Sequence, residues 1–301
     1  MSLKARILSP AKVNLHLEIY PKRDDGFHSL LSVFQMVSLY DEIGIRSLTT
    51  ADVCKTDCID CVIEGDFSFP AEENIIWKCC RIFRRQTGVR TALAFQVRKR
   101  IPQGAGLGGG SSNGASVLRA LNLIFETGLS VQKLAEMGSE AGSDIPFFCT
   151  APAALVSGRG EFIKELVPRT DFFLVLVIPP LHIATAAAYG WLDAAGTAAS
   201  PALGRDEYIK DQYEKRGPER WDFFNSFYPV LREKSPVFEE IRGNLLESGA
   251  LYANISGSGS AMFGLFRDEN GAREAQKRLK NAYPATEFLS PLAGMPELIL
   301  Q

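Results

Sequence analysis

The sequence contains no apolar run approaching the roughly 18 residues that a membrane-spanning helix requires. Its first residues, Met1 to Arg6, lack the long apolar stretch of a signal peptide and lead into a strand-like segment. There is no basic excess either. Lys+Arg number 33 against 35 Asp+Glu, for a net charge of −2, whereas nucleic-acid binders carry a surplus of positive charge. Cysteine is sparse, at 6 in 301 residues, too few for a disulfide scaffold and read as reduced thiols. These absences set the expectation of a cytoplasmic protein with no membrane and no nucleic acid as partner. They leave the oligomeric state open. What remains is ordinary globular composition, 46% apolar and 23% charged, enough for one large or two medium domains.

Residues 11–19 alternate, with Val13, Leu15, Leu17 and Ile19 on one side and Lys12, Asn14, His16 and Glu18 on the other. A period of two predicts a half-buried strand. Asp24-Asp25-Gly26 signals a turn. Residues 29–46 read as strand, with helix still open. Asn74 is placed to N-cap a helix over 74–87. Leu93, Phe95 and Val97 alternate again, and Ile101 extends them. Beyond a glycine-rich stretch, Val117, Leu121, Ile124 and Phe125 recur at helical spacing up to Gly128, and a second helix over about 130–141 ends at Gly142. The run Phe172 to Ile178, closed by Pro179-Pro180, predicts a strand buried on both faces. A domain boundary is placed just before it, giving domains at 1–167 and 168–301. Residues 196–220 show no clear period and read as a surface loop or insertion. The rest alternates helix (236–248), strand (251–255), glycine turn (257–259), strand (261–266), helix (270–282) and strand (286–290), an α+β pattern.

The chemistry concentrates in Pro102-Gln103-Gly104-Ala105-Gly106-Leu107-Gly108-Gly109-Gly110-Ser111-Ser112-Asn113. Glycines let backbone N–H groups approach a ligand closely, and a helix start adds free N–H groups and the positive end of its dipole. Strand, glycine loop and helix together make a phosphate-binding constellation. The Walker A form fails, because no lysine lies in the loop. The dinucleotide form G-x-G-x-x-G fits Gly104, Gly106 and Gly109, but the acidic residue about 20 positions on, Glu126, sits at the tail of a helix rather than the end of a strand. The protein-kinase form requires V-A-I-K and H-R-D segments that are not present. A merely flexible loop is the plainer alternative.

Two charged residues are candidates for catalysis. Lys12 shares its side of the first strand with Asn14, and Asp144 lies between a helix-ending glycine and an apolar segment. Singly, each has an ordinary reading, as a surface charge or a helix cap. Together they suit phosphoryl transfer to an alcohol: a carboxylate accepts the hydroxyl proton, and an ammonium keeps that carboxylate ionised and steadies the developing alkoxide. Cys54, Cys58 and Cys61 have the C-x3-C-x2-C spacing of a radical-SAM cluster site, but Asp60 stands where an aromatic is usual and no βα series surrounds them. His16 and His182 have no partners at metal-ligand spacing.

Three segments resemble the three motifs of the galactokinase, homoserine, mevalonate and phosphomevalonate (GHMP) kinase superfamily: Ser9 to Leu15, Pro102 to Asn113, and Ile255 to Ala261. Within it, Arg23-Asp24-Asp25-Gly26-Phe27-His28-Ser29-Leu30 with Phe34-Gln35, and Gly142 to Phe148, resemble the branch that phosphorylates a cytidine diphosphate-linked methylerythritol. The resemblance covers about residues 9 to 290. It implies an N-terminal domain like ribosomal protein S5 domain 2, a ferredoxin-like C-terminal domain, and a site in the cleft between them. It implies ATP and Mg2+ as cofactors, and phosphorylation of the acceptor's 2-hydroxyl in the non-mevalonate isoprenoid pathway. Residue by residue, it implies Asp144 as general base, with Lys12 orienting the hydroxyl and Asn14 positioning the erythritol part. It implies Phe27 and Tyr189 stacking on the cytosine, with His28 at its edge. Pro102, Gly104, Gly106, Leu107, Gly108, Gly109, Gly110, Ser111 and Ser112 would wrap the nucleotide, with Asn74 and Lys99 nearby and Ser111 or Ser112 reaching magnesium. Gly257 and Gly259, on the substrate side, would let a turn approach the ATP phosphates or the substrate diphosphate. Phe27 stands where the family usually has tyrosine, Ala105 replaces a frequent glycine, and Ser226 stands where aspartate is common. Other superfamily acceptors (homoserine, mevalonate, a sugar), or a non-catalytic ligand-binding regulator on the same fold, remain the alternatives.

Overall fold

The computed structural model describes residues 4–48, 61–65, 70–196 and 202–300. Two long antiparallel strands organise its first half, β1 (Lys4–Lys22) and β2 (His28–Ser47). The stretch 29–46 is therefore strand. Its turn is the one that Asp24-Asp25-Gly26 signals: Gly26 takes φ +81°, and the Asp25 carboxylate accepts the Phe27 N–H at 3.1 Å. This leaves Phe27 half exposed at the hairpin tip.

There follow β3 (Cys61–Glu64), α1 (Ile75–Thr87), β4 (Leu93–Arg98), α2 (Gly109–Ile124), α3 (Val131–Ser139), α4 (Ile145–Thr150), β5 (Ala153–Gly158) and β6 (Phe162–Glu165). Asn74 does cap α1, accepting the Ile76 N–H at 2.9 Å. The second half holds β7 (Phe173–Val177), α5 (Thr185–Ala195), α6 (Arg205–Lys215), α7 (Phe227–Lys234), α8 (Val237–Glu247), β8 (Tyr252–Ile255), β9 (Met262–Phe266), α9 (Glu269–Lys280), β10 (Thr286–Leu289) and β11 (Leu298–Leu300).

One sheet runs β11-β1-β2-β4-β3, with β5 and β6 continuing from the opposite end of β2. Residues 42–47 of β2 pair with β4, and residues 30–35 pair with β5. The other sheet is antiparallel, in the order β10-β7-β9-β8. The cut at 167/168 separates the strands of the two sheets, except that β11 returns to pair with β1. The cores define four layers. Helices α1 to α4 cover one face of the first sheet. The sheets face each other through Val13, Leu15, Leu174, Leu176 and Phe263. Helices α5, α7, α8 and α9 cover the outer face of the second sheet. Strand β7 thus has a core on each side, which is why its run of apolar residues is unbroken.

Two expectations require correction. The polar side of β1 is not solvated: Lys12, Asn14, His16 and Glu18 are 4%, 2%, 0% and 4% exposed. Lys12 is enclosed by Phe34 and the glycine loop at Gly108, and the second half of the chain covers His16 and Glu18. Phe223 and Phe224 pack on the His16 ring, and Arg205 of α6 bonds the Glu18 carboxylate at 2.8 Å. A strand's own alternation cannot report a polar face that another layer buries. Likewise, 196–220 is not simply a loop, since it contains α6. That helix buries only Ile209, Gln212 and Tyr213, a stripe too short to register as a period. Cys54 and Cys58 lie outside the described residues. Cys61 is buried at the start of β3, and Cys79, Cys80 and Cys149 are buried as well.

Candidate active site

The site is built where β1, the glycine loop and the Ser256–Gly259 turn meet. Gly104, Gly106 and Gly108 take φ of +67°, +78° and +69°, the left-handed region that glycine reaches without strain. Close approach is the second reason for glycine. A Cβ on Gly106 would lie 2.0 Å from the Ser256 carbonyl oxygen, and one on Gly108 would lie 2.9 Å from the Phe148 ring. Two bonds lock the loop to the second half of the chain: Ser256 Oγ donates to the Gly106 carbonyl at 2.9 Å, and Ala261 N–H to the Ala105 carbonyl at 3.2 Å. Helix α2 starts at Gly109 with no side chain capping it, so its first N–H groups stay available.

Beside the loop lies a cavity of about 340 Å³, lined by Asn74, Lys99, the whole run from Pro102 to Ser111, and Asn113. A cradle of closely approached glycines at an uncapped helix start fits a polyphosphate. Lys99 is held at its edge by Asp41, a fully buried carboxylate that also accepts the Arg100 and Ile101 N–H groups at 2.7 and 2.9 Å. Of the two loop serines, Ser112 is fully buried and bonded to Ser9 Oγ at 2.7 Å. Ser111 lines both this cavity and the next.

The second cavity, about 770 Å³, runs from Ser111 and Lys12 to Phe27 and Tyr189. Lys12 Nζ lies 3.8 Å from Asp144 Oδ2 and donates to Asn14 Oδ1. Burial pushes the Lys12 ammonium below its usual pKa, and the Asp144 charge opposes that shift. Asp144 stands at the start of α4 without capping it, and its partly exposed carboxylate faces the cavity. Asn14 also donates to Ser32 Oγ at 3.0 Å. At the far end, the His28 and Tyr189 rings lie 5.1 Å apart. His28 Nδ1 sits 2.8 Å from the Tyr20 carbonyl, which makes Nδ1 the donor, and Nε2 lies 3.1 Å from Asp193 Oδ1. Gly257 lines this cavity, whereas Gly259 lies beneath the turn against Ile255 and Ile183.

Sequence reasoning missed several residues here. Asn225 Nδ2 holds the glycine turn through the Ile255 and Gly257 carbonyls, both at 2.9 Å. Ser226 accepts the Ile19 N–H at 3.0 Å. His182 packs on the glycine loop so closely that a Cβ on Gly104 would sit 2.7 Å from its ring. Arg159 lies over the Phe27 ring at 3.6 Å, and Asp193 faces His28. Ser226 is marked in the sequence only as a departure from the family pattern, and none of the others stands in a local pattern that would give it a role. Only the glycines flanking Arg159 hinted at a tight tip. Among the described residues no cluster of metal-binding side chains occurs, and no helix is long and apolar enough to cross a membrane.

Comparison with known proteins places the chain in a family. Residues 74–151 match the GHMP kinases N terminal domain, and residues 217–285 match the GHMP kinases C terminal domain. The chain is 38% identical over 290 residues to the 4-diphosphocytidyl-2-C-methyl-D-erythritol kinase of Treponema pallidum, covering 93% of this chain and 94% of that one. It is 34% identical over 284 residues to the protein of the same name from Thermodesulfovibrio yellowstonii, covering 90% and 91%. A crystal structure of 4-(cytidine 5'-diphospho)-2C-methyl-D-erythritol kinase superposes with a TM-score of 0.78 at 28% identity, over 95% of this chain and 98% of that one. Homoserine kinase from Cytophaga hutchinsonii, at 17% identity and a TM-score of 0.68 over 98% and 97%, shares the fold. The chain belongs to the GHMP kinase superfamily and, within it, to the family of the 4-diphosphocytidyl-2-C-methyl-D-erythritol kinases.

Proposed function

We propose that this kinase transfers the terminal phosphoryl group of ATP to the 2-hydroxyl of 4-diphosphocytidyl-2-C-methyl-D-erythritol, in the non-mevalonate route to isoprenoid precursors. One observation carries the reading. Lys12 and Asp144, far apart in sequence, lie 3.8 Å apart in a cavity whose wall at Ser111 is shared with the glycine-loop cavity. A donor and an acceptor held in the two cavities would meet there.

In this reading the glycine loop's N–H groups and the start of α2 bind the triphosphate, and Lys99 and Asn74 flank the nucleotide. Asp144 accepts the proton of the attacking hydroxyl. Lys12, held by Asn14 and lying beside Asp144, orients the hydroxyl. Phosphoryl transfer has a loose transition state, so such positioning and charge balance supply most of the catalysis. Mg2+ would neutralise charge on the phosphates, and Ser111, which lines both cavities, would share in holding it. Phe27 and Tyr189 would stack on the cytosine, each stack contributing about 1–3 kcal/mol. His28, gripped by the Tyr20 carbonyl, would sit at the base edge. Replacing the family's usual tyrosine by Phe27 keeps the stacking face and removes a hydroxyl.

The test is a substrate panel. With ATP and Mg2+, the purified protein is expected to phosphorylate the cytidyl acceptor and to leave homoserine, mevalonate and galactose untouched. Preferential phosphorylation of any of those three would overturn the reading.

A further inference from the structure

The acceptor cavity carries more positive charge than its reacting groups require. Among the described residues lining it, the carboxylates are Asp144 and Asp193, and the full cations are Lys12, Lys22 and Arg159. Asp144 faces Lys12 and Asp193 faces His28, so Lys22 and Arg159 are left without a carboxylate partner among the described residues. The carboxylate nearest Arg159 in sequence, Glu161, is engaged by the backbone: it accepts the Arg159 N–H at 2.5 Å.

The position of Arg159 is well defined. It occupies the tip of the β5–β6 hairpin between Gly158 and Gly160, whose φ values are +71° and +118°. Gly160 docks on the residue before Asp144, where a Cβ would lie 3.0 Å from the Ser143 carbonyl oxygen. The Arg159 backbone is thus fixed on the Asp144 side of the cavity, while its guanidinium lies over the Phe27 ring at 3.6 Å. The side chain bridges the reacting end and the aromatic end. A ligand made of base, diphosphate and alcohol must lay its diphosphate along that path. A guanidinium resting face-on against an aromatic ring keeps its in-plane N–H fork free, and that fork matches phosphate oxygens.

We propose that Arg159 binds the diphosphate of the nucleotide-linked acceptor, its flat face supported by Phe27 and its N–H edge turned to the phosphate oxygens. The proposal rests on the acceptor reading above and adds a residue that sets specificity for a diphosphate-bearing substrate over a bare nucleoside. It also gives Phe27 two duties, one ring face for the cation and the other for the base.

The experiment compares calorimetric binding of cytidine and cytidine 5'-diphosphate, with the glycine-loop site filled by a non-hydrolysable ATP analogue. Wild type is expected to prefer the diphosphate by about tenfold or more, the scale of charge-assisted hydrogen bonds. Arg159→Ala is expected to remove most of that preference while leaving cytidine affinity and the KM for ATP essentially unchanged. Arg159→Lys, which keeps the charge and loses the fork, is expected to fall between. An unchanged preference in Arg159→Ala would overturn the proposal. So would an equal weakening of both ligands, which would make Arg159 only a support for the Phe27 ring. If the wild type bound neither ligand, the acceptor reading itself would fail, and the role of Arg159 with it.

Discussion

The two cavities that meet at Ser111 are made in different ways. The smaller is drawn mostly from one continuous stretch of backbone, Pro102 to Ser111, and what it offers a ligand is chiefly N–H groups. The larger is assembled from side chains on β1, the Phe27 turn, the Asp144 segment, the β5–β6 hairpin, α5 and the Gly257 turn. A backbone site needs close approach and tolerates almost no added atom. A side-chain site needs particular chemistry at each position and tolerates small changes of shape. The first should therefore fail as a unit, and the second should fail one ligand contact at a time.

The sharpest way to break this contrast is Gly106→Ala. The added Cβ would meet the Ser256 carbonyl at 2.0 Å at a φ of +78°, so binding of ATP should be lost altogether by calorimetry while far-UV circular dichroism is retained. Retained ATP affinity would mean that the loop does not depend on close approach. Next is Lys12→Met. It should lower kcat by about 100-fold or more, in line with the usual size of proton-transfer assistance, with little change in the KM for ATP. The pH profile sharpens the point. Burial lowers the Lys12 pKa, so activity that needs the ammonium should be lost on the alkaline side at a lower pH than an exposed lysine would give. Phe27→Ala should weaken the acceptor by about tenfold, near the middle of the range for one lost stack, while Phe27→Tyr should not. The smallest effect is structural. Tyr213 Oη donates to Gln35 Oε1 at 3.0 Å and accepts the Arg169 N–H at 2.9 Å, so Tyr213→Phe should cost about 1–3 kcal/mol, seen as a lower Tm with both KM values intact.

The same contrast governs what could be read from the sequence. The glycine loop was legible because its requirement is compositional and contiguous. So were the Asn74 cap, the strand at Phe173–Val177 and the helix–strand alternation after residue 236, all of them local patterns. Lys12 and Asp144 were nameable, but nothing local said that they meet. That depends on α4 packing against α2, the helix that the glycine loop opens and that itself lies on β1. The contacts of Arg159, Asp193, His182 and Asn225 were not legible, because each acts across a gap that only the fold closes. Gln35 is instructive. It belongs to a segment that resembles the family, yet it lines neither cavity. Its amide joins β2 to the Leu292 carbonyl at 3.3 Å and to Tyr213, so it is a junction rather than a ligand. Buried polar residues on β1 misled for the converse reason, since an alternating strand looks the same whether water or another layer covers its polar face.

The central claim is that Asp144 takes the acceptor's proton beside Lys12, and single-turnover phosphoryl transfer by Asp144→Asn tests it most directly. The swap keeps the shape and removes the base, so the rate should fall by about 10²–10⁴ while ATP and acceptor still bind, and the alkaline limb should move to lower pH as Lys12 loses the charge that holds its proton. A variant that turned over within a few-fold of wild type would contradict the account.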